Sequence, residues 1–219
     1  LLDKLFAGMP AKAELLPEAT PARGLPLRQV VDQPIPQSVV AFGSLTEAAS
    51  EREWLAMALA DDILNASFTG PLWMEVREKR GRVYYVGTAT AKNRLAYFYS
   101  GSFGSANETV GDALSVTLGV LKKFAETGPT QEQINAAKAA AKGGYFFRFE
   151  SGESLVGGLV YQQLDNRPID SIDTYVDRIN SVTIEEVRAA AKKMIRVDDF
   201  SVVVVGKPVA DINNVKAGG

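Results

Sequence analysis

The 219-residue sequence contains no cysteine and no histidine. Without cysteine there are no disulfides, no thiolate metal ligands and no thiol nucleophile, and nothing selects an oxidising or a reducing compartment. Without histidine the chain lacks the commonest general base, the commonest zinc ligand and every Ser-His or Cys-His pair. An excess of charge of one sign is missing too. The net charge of −2, from 24 basic and 26 acidic residues, offers no electrostatic footprint for nucleic acid or an anionic membrane. The four valines at 202–205 fall far short of the roughly 20 apolar residues that cross a bilayer. No membrane span is expected, and no nucleic-acid partner.

The remaining chemistry is thin. Asp61–Asp62 and Asp198–Asp199 lack the spaced ligands of a calcium loop and read as solvated surface pairs, so no metal is assigned. The stretch GSFGSAN at 101–107 has neither the lysine nor the spacing of a phosphate loop and reads as a strand-to-helix connection. Serine and threonine hydroxyls have no evident activator. An autonomous enzyme is not expected.

What is present suits one folded unit: 46% hydrophobic residues in 219 can bury a sizeable core. Leu1, Leu2, Leu5 and Phe6 read as the end of an amphipathic helix, and the chain reads as a fragment or processed half of something longer. Six prolines between Met9 and Pro36 suggest a semi-rigid linker, giving a helix end plus linker over 1–36 and a folded domain over 37–219. PQSVVAFGSL predicts a strand with Val40 and Phe42 on one face. Ser50 and Glu53 have the spacing of a capping box and open a helix over 51–64.

Pro71 and Gly81 bracket a short helix that carries Arg77. Residues 83–91 and LAYFYSGSF predict an antiparallel hairpin joined tightly through Lys92–Arg94. Asn107 is placed to cap a long helix ending at Gly128-Pro129, and Thr130 with Gln133 opens another through Ala141. Glycines at 143, 144, 157 and 158 suggest kinked or broken helices. Thr183 with Glu186 starts a helix to about Met194, and FSVVVVG is a buried final strand. Hairpin strands with helices gathered before the last strand predict an α+β fold, an antiparallel sheet with helices packed on one face.

The stretch EVREKRGRVYYVGTA sets a dense charge cluster against a strand that starts with two tyrosines. Arg77 and Tyr84 lie seven residues apart, and a compact helix-to-strand turn could aim both at one point. Arg77 would offer forked donors to peptide carbonyls and Tyr84 a neutral hydroxyl, a pair able to stabilise an oxyanion but not to generate a nucleophile. Spacing by itself favours a structural reading, in which Arg77 pairs with Glu75 or Glu78 and Tyr84 packs at the sheet edge.

EVREKRGRVYY resembles a segment of the second, carboxy-terminal domain of M16 zinc metalloproteases, the pitrilysin or insulinase type that includes mitochondrial-processing-peptidase-like proteins. The resemblance continues through RPIDSIDTYVDRINSVTIEEVRAAAKKMI and FSVVVVGKP, over roughly residues 34–208, and points to bacterial M16B-like members. It implies a LuxS/MPP-like metallohydrolase fold in which two homologous halves face each other around a chamber. The first half carries zinc on an H-x-x-E-H motif; the second contributes an arginine and a tyrosine seven apart that hold the substrate. By motif and spacing these are Arg77 and Tyr84.

The resemblance thus implies a non-catalytic, substrate-binding half, with no cofactor in this chain and zinc in a homologous partner domain or subunit. Extended peptides would be its substrates, aligned by β-addition on VVAFGS or on residues 83–91. A structural or chaperone-like peptide-binding scaffold is the alternative. Bacterial members make a periplasmic location compatible, with the cytoplasm as the alternative. Two departures from the pattern bear on the site: Val83 replaces the usual small residue before Tyr84, with Tyr85 following on the opposite face, and NASFTGPL replaces the usual glycine-rich run, near Phe68 and Trp73.

Overall fold

The computed structural model describes residues 1–10, 12, 26–47, 49–92 and 96–218. In chain order the elements are helix α1 (Leu2–Phe6), strands β1 (Arg28–Asp32) and β2 (Gln37–Thr46), helix α2 (Glu51–Leu64) and a π-helical turn at Trp73–Glu78. Strands β3 (Tyr85–Lys92) and β4 (Tyr97–Ala106) follow, then α3 (Val110–Thr127), α4 (Gln131–Tyr145), α5 (Gly152–Leu164), α6 (Tyr175–Ser181), α7 (Ile184–Met194) and β5 (Ser201–Gly206). The five strands form one sheet in the order β1-β5-β2-β4-β3, antiparallel except for the β1–β5 pair.

Strand β2 shows why the sheet has two unlike faces. Ser38, Val40 and Phe42 are buried while Val39 and Ala41 are exposed, the period of two that a half-covered strand requires. Across the ladder Val40 faces Phe103 and Val204, and Phe42 faces Val202. The Phe42 ring stacks on Phe200 at 5.6 Å. The helices complete this core with Leu59, Leu114, Leu118, Val187 and Met194, all fully buried. Tyr85, Ala89, Val39 and Ala41 lie exposed on the other face.

Three helices start as the sequence predicts. In each capping box the first residue's hydroxyl accepts from the third helical N–H, and that residue's side chain accepts in return: Ser50 with Glu53, Thr130 with Gln133, Thr183 with Glu186. Helix α4 runs through Gly143 and Gly144 to Tyr145, four residues past the expected end. The break comes at Phe146–Phe149, a 3-10 turn before α5.

Several expectations are corrected. The sheet takes in Arg28–Asp32, inside the stretch read as linker, because all of β1 pairs in parallel with Val202–Gly206 of β5. Strand β5, expected as a buried final strand, is interior to the sheet, between β1 and β2. Asn107 caps no helix: its carboxamide accepts from the Ser38 hydroxyl at 2.7 Å and the Lys207 N–H at 3.2 Å, tying β2 and the segment after β5 to the β4–α3 corner. Asp61 is buried rather than solvated. Half of the stretch from Met9 to Pro36, and the turn beyond Lys92, lie outside the described residues.

Candidate functional site

The π-helical turn and β3 are joined by a tight reversal. Gly81, at φ 58°, adopts the left-handed conformation that glycine takes at little cost. Its N–H donates to the Arg77 carbonyl at 2.8 Å, and the Arg82 N–H donates to the Val76 carbonyl at 3.3 Å. Val76 and Val83 anchor either side of the reversal in the core. Arg77 and Tyr84 therefore flank a turn fixed by main-chain bonds and buried valines.

Arg77 does not pair with Glu75, which instead accepts from Lys79 at 2.5 Å. Its guanidinium lies 4.0 Å above the centre of the Trp73 ring. Among the described residues Arg77 makes no ion pair or hydrogen bond through its side chain. A guanidinium held by its face keeps its in-plane N–H donors available. The Tyr84 side chain is 75% exposed, and its N–H donates to the Gly104 carbonyl at 3.0 Å. Tyr85 is the ladder partner of that same Gly104, so two successive tyrosines address one residue where the strand begins.

Against the edge of β3 lies a partly buried polar cluster that sequence reasoning missed. The Asn65 carboxamide accepts from the Thr88 N–H at 2.8 Å and donates to the Thr88 carbonyl at 3.0 Å, copying the contacts of a neighbouring strand. The Thr88 hydroxyl donates to the Asp61 carboxylate at 2.6 Å. Burial raises the Asp61 pKa to about 6, with the nearby Asp62 charge adding to it and hydrogen bonds from Thr88, Asn65 and the Thr90 main chain opposing it. Burial likewise pushes the Tyr99 hydroxyl up, aided by the Asp61 charge.

This cluster decides where a peptide strand could add. VVAFGS lies within β2, interior to the sheet, so it has no free edge. Strand β3 is an edge, but the outward main-chain groups of Thr88 are already taken by Asn65. No three carboxylates converge among the described residues, and the chain has no histidine or cysteine, so these donors do not fit zinc.

The sequence profile described as "Peptidase M16 inactive domain" matches residues 1–141. The chain belongs to the peptidase M16 family, as an inactive domain. It is 28% identical over 173 residues to an uncharacterized zinc protease of Mycobacterium bovis, covering 78% of this chain and 39% of that protein. A Helicobacter pylori relative, named a non-peptidase homolog, is 22% identical over 80% of this chain and 41% of its own length. The crystal structure of a Pseudomonas fluorescens peptidase M16 inactive domain superposes with a TM-score of 0.84 at 24% identity, covering 94% of this chain and 49% of that one. The shared fold is the expected α+β arrangement. This M16 chain spans about two fifths of the length of the curated relatives it matches.

Proposed function

We propose that this domain is the non-catalytic, substrate-binding half of an M16 zinc endopeptidase. Arg77 and Tyr84 grip the main chain of an extended peptide and polarise its carbonyl, while a homologous zinc-bearing half performs the hydrolysis. The observation that carries the reading is the state of Arg77: a guanidinium stacked on Trp73, without a carboxylate partner among the described residues, at a rigid turn beside the exposed Tyr84. Such donors recognise carbonyl oxygens in any peptide, whatever its side chains.

The test is cleavage of a quenched fluorescent peptide library by this chain together with its zinc-bearing half. Arg77→Ala should lower turnover about a hundredfold, the scale of one lost oxyanion donor, and Tyr84→Phe should lower it less. Melting temperatures should stay near the parent value. Unchanged turnover in both variants would remove the grip. The relative named a non-peptidase homolog favours a second reading, a peptide-binding scaffold without a proteolytic role. In that case peptide binding persists, and falls in Arg77→Ala, with no cleavage in any pairing.

A further inference from the structure

The loop between α2 and the π-helical turn presents an aromatic ring at some expense to itself. Phe68 has φ 63°, a left-handed conformation that a Cβ disfavours, and its side chain is 71% exposed. A phenylalanine there is unfavourable twice, in backbone and in solvation. Outliers of this kind persist where the surroundings over-determine them, and they cluster at binding sites.

The surroundings do over-determine Phe68. The Gly70 N–H donates to the Ala66 carbonyl at 2.7 Å, and that of Thr69 to the same oxygen at 3.2 Å. A Cβ on Gly70 would lie 2.5 Å from the Leu64 carbonyl, so the loop closes only around glycine. At the loop's start, Asn65 is bolted to Thr88 of β3. The Phe68 ring meets Trp73 edge to face, with centroids 5.0 Å apart at 70°, and Arg77 covers the same indole. Phe68, Trp73 and Arg77 are thus one contiguous stack on a rigid loop and turn.

We infer that Phe68 and Trp73 form a preformed platform that receives an apolar, preferably aromatic, side chain of the peptide whose main chain Arg77 holds. The inference rests on the proposed grip and adds selectivity to it, because Arg77 reads only main-chain carbonyls while the platform reads a side chain. A rigid ring that needs no ordering on binding converts its contact area efficiently into affinity.

The experiment measures binding, with chelator present so that no hydrolysis competes. Fluorescein-labelled peptides that differ by a single Phe-to-Ser exchange at each position in turn are titrated by anisotropy onto the protein together with its zinc-bearing half. At one position the Phe peptide should bind about tenfold more tightly. Phe68→Gly, which suits the left-handed backbone, should erase that ratio, leave the Ser peptide's affinity unchanged and melt no lower than the parent. An equal ratio in Phe68→Gly and parent overturns the platform, as does a parallel loss for both peptides. If Arg77→Ala weakens every peptide while Phe68→Gly changes nothing, the platform alone fails. If Arg77→Ala changes nothing, or the parent binds no peptide, the grip and the platform fall together.

Discussion

At Asp61, burial and hydrogen bonding pull one carboxyl in opposite directions, and burial wins, placing its pKa at about 6 against an ordinary 3.8. Below about pH 4 the group is protonated both folded and unfolded and costs nothing. As pH rises from about 4 to 6 the unfolded chain releases the proton while the folded chain keeps it. Stability falls through that window and levels off above it. Two pKa units correspond to at most about 3 kcal/mol. Asp61→Asn keeps an acceptor for Thr88 and removes the charge, so denaturant titrations should show the variant gaining about 1–2 kcal/mol over the parent between pH 4 and pH 7.5. A constant difference across that range would refute the account. Asp61 was not legible beforehand, because nothing in the sequence distinguishes it from Asp62; only the approach of Thr88 on β3 selects one of the pair. Trp73 was more accessible, standing four residues before Arg77, the helical spacing at which a ring and a guanidinium can meet.

At the scale of elements, local chemistry was legible and long-range pairing was not. The capping boxes of α2, α4 and α7 involve residues three apart, so the sequence states them outright. Asn107 failed the same rule because the Ser38 hydroxyl and the Lys207 N–H, distant in sequence, claim its side chain first. Strand β1 was hidden by neighbouring prolines and by a parallel pairing across more than 170 positions. The cap of α7 also carries tertiary load. Glu186 is held at a pKa of about 2 by the Arg52 guanidinium of α2 and then by the Thr183 N–H. A lowered carboxylate contributes stability above its ordinary pKa and loses it as pH falls, here from about 4.5 to 2. Thr183→Ala removes the acceptor for the Glu186 N–H and should cost about 1 kcal/mol at pH 7, read as a lower melting temperature. A fall of less than about 0.3 kcal/mol would mean the Arg52 contact alone holds the helix start.

At the scale of the molecule, α5 is out of balance with the rest. Leu155, Val156, Leu159, Val160, Tyr161 and Leu164 are all at least 41% exposed, and the helix buries none of its residues. A helix that leaves this much contiguous apolar surface in solvent is expected to be covered by a partner. Asp165, just past its end, accepts from Lys92 at 2.7 Å and from Arg167 at 2.9 Å, which fastens α5 beside the end of β3 remote from Tyr84. Proteins related to this chain extend to more than twice its matched length, and the proposed partner is a homologous zinc-bearing half, so that half is the occupant α5 is expected to meet. Each buried leucine or valine would contribute about 1.5–3 kcal/mol, enough for two charged substitutions to break the contact. Leu155→Glu with Leu159→Glu should therefore change the domain's own stability by under about 1 kcal/mol. The same pair should abolish co-sedimentation with the zinc-bearing half and, with it, peptide cleavage. Intact association in the double variant would free α5 from the interface and leave its apolar surface to a different partner, whereas lost association with retained peptide binding would separate docking from the Arg77 grip.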